Sequence, residues 1–98
     1  MTYTVRILRR AQRDLQEIYF LVREAPARAG SFVDELFDTI ASLTAMAERG
    51  ATPRDETLRR QGYRFLVHGR YLVFYKVQRR LVRVYRVLPG SRAYRGLL

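Results

Sequence analysis

The C-terminal half of the chain is dominated by three β-rich runs that are separated by very short turns. In chain order, the runs and turns are 63–68, Gly69-Arg70, 71–77, Gln78-Arg79-Arg80 and 81–88. Turns this short join antiparallel neighbours, because a parallel pair needs a crossover of about a dozen residues or more. The sequence therefore predicts an antiparallel meander of three strands.

Two helical patterns precede the meander. The first starts at about Arg10 and should stop near Glu24, because Pro26 disfavours the helical conformation in the residue before it. The second follows at once and is expected to continue to Ala47, with Gly50 as its stop signal. The apolar positions of the two patterns are Ala11, Leu15, Ile18 and Val22, then Ala29, Val33, Leu36, Ile40, Leu43 and Ala47. Two helices joined by so few residues form a hairpin whose apolar seam needs a covering layer.

A short strand opens the chain, since Tyr3, Val5 and Ile7 alternate with the residues between them. The segment 51–61 is expected to be a polar connector. The predicted fold class is α+β in the order β-α-α-β-β-β, with a helical hairpin packed on a small, mainly antiparallel sheet, as one domain over 1–98. The apolar side chains expected to face the hairpin are Val73, Tyr75, Val77, Val82, Val84 and Leu88.

Charge is segregated along the chain. The net charge is +10, yet all nine carboxylates lie between Asp14 and Glu56, whereas 57–98 carries ten arginines and Lys76. A basic half with a charge of 10 + 1 = +11 is suited to an anionic partner, either nucleic acid or an acidic protein. An arginine-rich composition that serves solubility is the alternative explanation.

Composition also excludes several classes of protein. The chain has no cysteine and one histidine, His68, so neither disulfides nor a Cys/His zinc site is expected, and no cofactor is predicted. His68 ends a predicted strand and is expected to be a surface or turn residue. The chain shows neither the apolar run of a signal peptide nor the roughly 20 apolar residues of a membrane span, so we expect a cytoplasmic protein.

Three stretches of the sequence resemble the RelE/ParE toxin superfamily, and together they span nearly the whole chain. The first resembles an "A-x-x-D-L-x-x-I" helix, the second a "Y-x-V-x-Y-x-V" strand, and the third the ParE-type ending "I-x-R-V-L-H-G-x-R-x-Y/W". The matching residues are Ala11, Asp14, Leu15 and Ile18; Tyr71, Val73, Tyr75 and Val77; Arg86, Val87, Leu88, Gly90, Arg92 and Tyr94. Pro89 stands where many relatives have histidine.

The ending favours the ParE branch. That resemblance implies the toxin of a type II toxin-antitoxin system, which stops growth by poisoning DNA gyrase and is neutralised by an acidic ParD-like antitoxin. It also implies a complex that binds operator DNA through the antitoxin. The candidate target-binding residues are Arg86, Arg92, Tyr94 and Arg95. The candidate antitoxin-binding residues, on the first helix, are Leu15, Tyr19, Phe20 and Val22.

Two alternatives stay open. The RelE branch consists of ribosome-dependent mRNA endoribonucleases, and a metal-independent enzyme of this kind would use Arg64, Arg92 and Tyr94 around the scissile phosphate. Against it, Leu72 stands at the place of a RelE arginine. The alternating lysines of the family's strand are also missing, since the neighbours of Arg64, Phe65 and Leu66, are apolar. The other alternative is a non-toxic basic module that binds nucleic acid or protein.

Two sets of polar residues are given structural roles. The carboxylates Asp14, Glu17 and Glu24 lie among arginines on one helix, so we expect solvated pairing within that helix rather than acid-base chemistry. Four tyrosines in the meander could stack on bases, but packing in the core or across strands is the favoured interpretation. They are Tyr63, Tyr71, Tyr75 and Tyr85.

Overall fold

The structure, a computed structural model, describes residues 2–22, 29–91 and 95–98, with the backbone alone at 29–31 and 95. Its strands are β1 (Thr4–Ile7), β2 (Tyr63–His68), β3 (Tyr71–Gln78) and β4 (Leu81–Pro89). Its helices are α1 (Arg9–Val22), α2 (Ala29–Ala41) and α3 (Glu56–Arg60). The predicted end of the first helix near Glu24 lies outside the described residues. None of the described helices is long and apolar enough to cross a membrane.

The four strands form one mixed sheet in the order β1-β4-β3-β2. The antiparallel meander of β2, β3 and β4 is confirmed. β1 pairs in parallel with β4, which places the first and last strands of the chain side by side. The predicted α+β class with a mainly antiparallel sheet is therefore correct.

One face of the sheet, here called the inner face, is covered by the helices. Ala11, Leu15 and Ile18 of α1 are buried against it together with Leu36 and Ile40 of α2. The sheet contributes a cluster of apolar side chains from β3 and β4: Val73, Tyr75, Val82, Val84 and Val87. Burying them stabilises the domain by about 25 cal/mol per Å² of apolar surface removed from water.

A β-bulge changes the face of the last residues of β4. Phe74 pairs with Arg86, but the next residue, Tyr75, pairs with Val84, so β4 has one extra residue at this point. The alternation of side chains is shifted beyond the bulge. Val87 consequently packs in the inner cluster, and Leu88 packs on the opposite face. The prediction that Leu88 faces the helical hairpin is wrong for this reason.

The opposite, outer face carries a second and smaller cluster. Leu58, Tyr63, Phe74 and Leu88 are buried there, and Leu97 packs against them. Leu58 belongs to α3, which lies inside the segment 51–61 that was expected to be a polar connector. The Asp55 carboxylate caps this helix by accepting a hydrogen bond from the Leu58 N–H at 3.0 Å.

The second helix is shorter than its apolar pattern predicts. α2 ends at Ala41 and is followed by a 3₁₀ turn over Ser42–Thr44, although the pattern continues to Ala47. The Ser42 hydroxyl donates to the Thr39 carbonyl at 2.6 Å, and the Thr44 hydroxyl donates to the Ala41 carbonyl at 2.9 Å. Such bonds from side chains to the backbone compete with helical ones. Ala47 still lies in the core, but within a loop.

Candidate functional site

An apolar groove runs between α1, α2 and the end of β1. The groove is open to solvent and has a volume of about 540 Å³. Its lining residues come from all three elements: Ile7, Gln12, Leu15, Gln16, Tyr19, Phe20 and Phe37. On α1 these residues follow one another at alternating spacings of three and one and form a stripe beside the core-facing one, because the helix turns every 3.6 residues.

The aromatic side chains of the groove are unusually accessible for their size. Tyr19 is 47% exposed, Phe20 54% and Phe37 44%. The rings of Tyr19 and Phe20 meet edge to face with their centroids 5.8 Å apart. Large apolar side chains gathered at one exposed place are typical of an interaction surface.

Three of the four candidate antitoxin-binding residues line this groove. Tyr19 and Phe20 form its exposed part, and Leu15, only 5% exposed, forms its floor. Val22 does not line it and packs against the inner cluster instead. Phe37 was not predicted as a binding residue. The signal was available, because Phe37 lies outside the apolar stripe of α2 just as Tyr19 and Phe20 lie outside that of α1.

Arg86, a predicted target-binding residue, forms a nearly buried ion pair with Asp14. Its Nε and Nη2 donate to the two Asp14 carboxylate oxygens at 2.7 and 2.9 Å, and its Nη1 donates to the Leu97 carbonyl at 2.9 Å. The bonds to Asp14 raise the pKa of Arg86 above its ordinary value, although burial acts in the opposite direction. Because three of its donors are bound inside the protein, the geometry favours a structural role for Arg86.

Asp14 is also tied to the sheet directly. One of its carboxylate oxygens accepts a hydrogen bond from the Val87 N–H at 2.9 Å, just beyond the bulge. Asp14 is 7% exposed, so the expectation of solvated pairing within the first helix is wrong for this residue. Its partner is 72 residues away in the sequence and could not be identified from local spacing.

Arg64 supports a loop at the edge of the sheet. Its Nη1 donates to the carbonyls of Glu48 and Gly50 at 3.0 and 3.1 Å. The Gly50 N–H in turn donates to the buried Tyr75 hydroxyl at 2.9 Å. Burial raises the pKa of Tyr75 above its ordinary 10.0, although the Gly50 bond acts in the opposite direction. Gly50 is thus a point of close backbone approach rather than a helix stop.

The remaining candidates divide into described and undescribed residues. Arg92 and Tyr94 lie outside the described residues, and of Arg95 only the backbone is described, in a short 3₁₀ turn over Arg95–Leu97. His68 contacts α2, where its Nδ1 is 3.1 Å from the Thr39 hydroxyl. Among the described residues there is no group of three or more potential metal ligands of the His, Cys, Asp or Glu types.

The four tyrosines of the meander act mainly in packing. Tyr63, Tyr71 and Tyr75 are buried, and Tyr85 is partly buried beside the outer cluster. The rings of Tyr63 and Tyr85 meet edge to face at 5.3 Å. The favoured interpretation, packing rather than base stacking, is confirmed for the three buried rings.

The same fold occurs in solved structures of toxin-antitoxin systems. A chain of the chromosomal ParDE toxin-antitoxin system from P. aeruginosa is similar with a TM-score of 0.73 and 21% sequence identity, over 90% of this chain and 96% of that chain. A chain of the toxin-antitoxin complex RelBE2 from Mycobacterium tuberculosis is similar with a TM-score of 0.68 and 25% identity, over 91% and 99%. Comparison with curated protein sequences gives no match.

The fold and the sequence together define a toxin of a type II toxin-antitoxin system. The sequence model described as "ParE toxin of type II toxin-antitoxin system, parDE" matches residues 5–94. The chain therefore belongs to the ParE toxin family. The matched range includes the A-x-x-D-L-x-x-I helix, whose four defined residues are the four buried residues of α1: Ala11, Asp14, Leu15 and Ile18.

Proposed function

We propose that this toxin acts in the cytoplasm on DNA gyrase and is neutralised by a cognate acidic ParD-like antitoxin. The observation that carries the proposal is the match to the ParE toxin family over 5–94, which reaches through the C-terminal ending. Poisoning of gyrase requires no catalytic group in the toxin itself. Growth arrest and the maintenance of a plasmid that encodes the pair would follow from this activity.

The apolar groove is proposed as the antitoxin site. A type II system supplies a protein partner, and the groove offers aromatic anchors of the kind that dominate binding energy at protein interfaces. We expect an amphipathic antitoxin segment to place apolar side chains between Tyr19, Phe20 and Phe37, as in other helix-in-groove complexes. Acidic residues on that segment would complement the net charge of +10. The resulting complex would bind operator DNA through the antitoxin.

A second candidate function is mRNA cleavage, which the similarity to a chain of the RelBE2 complex favours. The described residues argue against it. Leu72 stands at the place of a RelE arginine. Leu72 and Phe65 both pack against the apolar outer cluster, and neither side chain has a charge that could bind a phosphate. The guanidinium of Arg64 is held by two backbone carbonyls. The outer face therefore has no cation at Leu72 or Phe65, where a ribonuclease of this kind would need one.

A supercoiling assay with purified gyrase tests the proposal. Relaxed plasmid, ATP and gyrase are incubated with the toxin and then treated with detergent and protease. We expect linear DNA to accumulate with the toxin alone, and not when the toxin is first mixed with its cognate antitoxin. Normal supercoiling with no linear product at an excess of folded toxin would remove gyrase as the target.

A further inference from the structure

Three cations lie in a row across the outer face. In the strand register Arg6 of β1 is paired with Arg83 of β4, and Arg83 is paired with Lys76 of β3. Paired residues on neighbouring strands project from the same face, and the strands are about 4.8 Å apart. The sheet therefore carries three cationic residues side by side without a negative residue between them, and the Lys76 ammonium lies over the rings of Tyr63 and Tyr85, 4.4 and 5.0 Å from their centroids.

The turn between β3 and β4 extends this row. Arg79 and Arg80 are exposed at the turn and line a cavity of about 470 Å³ together with Arg6 and Arg83. We call the five cations the basic patch: Arg6, Lys76, Arg79, Arg80 and Arg83. The ion pairs found among the described residues, Arg60 with Glu56 and Arg86 with Asp14, involve none of the five.

Two features of the basic patch are unfavourable for the fold alone. Like charges directly opposite each other on adjacent strands destabilise a sheet. Arg79 also adopts a φ of 58°, a left-handed conformation that glycine and asparagine adopt at lower energy. Both features lower the stability of the fold. Residues that lower stability in this way are common at binding sites.

The composition of the surroundings indicates the class of ligand. Protein partners are held by buried aromatic or aliphatic anchors, and the strongly exposed large apolar side chains among the described residues lie outside the lining of this cavity. Phosphate contacts need no such anchors and are made by arginine, lysine and short polar side chains. Thr4 and Gln78 supply the polar groups here. Guanidinium groups match phosphate oxygens in a two-pronged geometry.

We infer that the basic patch binds the phosphodiester backbone of nucleic acid, independently of base sequence. Cations that contact phosphate oxygens supply charge but carry little sequence information. The patch lies on the outer face, away from the apolar groove. Its role therefore does not depend on gyrase or the antitoxin being the partners of this toxin.

Fluorescence anisotropy of the full chain with a labelled 20-base-pair DNA duplex tests the inference, with a single-stranded RNA of the same length as a second probe. The double variant Arg6→Gln/Arg83→Gln is compared with Arg13→Gln/Arg60→Gln, which removes the same charge at exposed positions outside the patch. Thermal melting confirms that each variant folds. The affinities are measured at several salt concentrations.

We expect the patch variant to lose at least about tenfold in affinity for the duplex, and the slope of log affinity against log salt to fall by about 2, one unit for each lost phosphate contact. The control variant should change far less. An equal loss of affinity for DNA and RNA would show that the patch binds the phosphodiester backbone that both share. A loss confined to one probe would identify that nucleic acid as the ligand.

A turn variant gives a second test that does not depend on the strands. Arg79→Asn removes one charge but keeps a residue that tolerates the left-handed conformation. We expect weaker binding with unchanged or higher thermal stability. If both patch variants bind nucleic acid like the control, the inference is overturned. It is also overturned if they lose affinity for poly-glutamate but not for the duplex, which would assign the patch to an acidic protein.

Discussion

Asp14 of α1 and Arg86 of β4 form a two-pronged ion pair, with N–O distances of 2.7 and 2.9 Å, between side chains that are 8% and 11% exposed. The pair joins the first helix to the last strand at the β-bulge. It gives both residues a structural role that does not require either to contact the target.

Substitution of Asp14 by asparagine should lower the free energy of unfolding by about 3 kcal/mol, because it leaves the Arg86 charge nearly buried without its counter-ion. Urea denaturation measures the change. Glu35→Gln, at an exposed site on α2, should change it by less than about 0.5 kcal/mol. An Asp14→Asn variant as stable as this control would show that the pair contributes little to the fold.

Tyr75 should make the fold sensitive to alkaline pH. Burial raises its pKa in the folded state, so the associated stability is full below pH 10.0 and is lost as the pH rises through the raised pKa. Tyr75→Phe removes this ionisation and also the bond from the Gly50 N–H, which contributes about 1 kcal/mol. We expect a protein that is less stable at pH 7 and whose stability declines less steeply above pH 10.0. Parallel declines for the two proteins would contradict this.

Gly50 should not tolerate a side chain. A Cβ there would clash with the Tyr75 hydroxyl and lie 2.9 Å from the Phe65 carbonyl oxygen, so Gly50→Ala should cost about 2 kcal/mol of stability. Gly96→Ala is the matched control, because nothing lies within 4 Å of a Cβ at that position. Equal melting temperatures for the two variants would mean that the loop moves aside freely.

The groove should be needed for the antitoxin and not for the fold. Tyr19→Asp or Phe20→Asp places a charge among exposed aromatic side chains and should weaken the antitoxin complex about 30-fold, the loss of one interface hot spot of roughly 2 kcal/mol. Calorimetric titration measures the affinity. Met46→Asp, at a side chain 61% exposed outside the groove, serves as the control. Unchanged affinity in both groove variants would exclude this surface.

The sequence predicted the elements that depend on local patterns. The meander and the helical hairpin follow from periodicity and short turns, and the same periodicity places Tyr19 and Phe20 outside the core-facing stripe of α1. The parallel pairing of β1 with β4 could not be predicted in the same way, because it joins segments that are distant in the chain. The displacement of Leu88 depends on a bulge that interrupts a regular alternation.

Two further differences have separate causes, one local and one tertiary. α3 has five residues, Glu56–Arg60, which is too short for an apolar period to be visible, and its clearest signal is the capping residue Asp55. Asp14 lies among arginines in the sequence, and its true partner, Arg86, is defined only by the packing of α1 on β4. Polar partners of this kind follow from tertiary structure, whereas apolar stripes can be identified from sequence.

Expression of the toxin without antitoxin tests the central claim most directly, when transcript integrity and gyrase-linked DNA breaks are followed in the same culture. A ParE-type gyrase poison produces DNA breaks while the mRNA stays intact, and co-expression of the antitoxin suppresses the breaks. Cuts at codon positions in mRNA without DNA breaks would contradict the account and would make Arg64, Arg92 and Tyr94 the catalytic candidates.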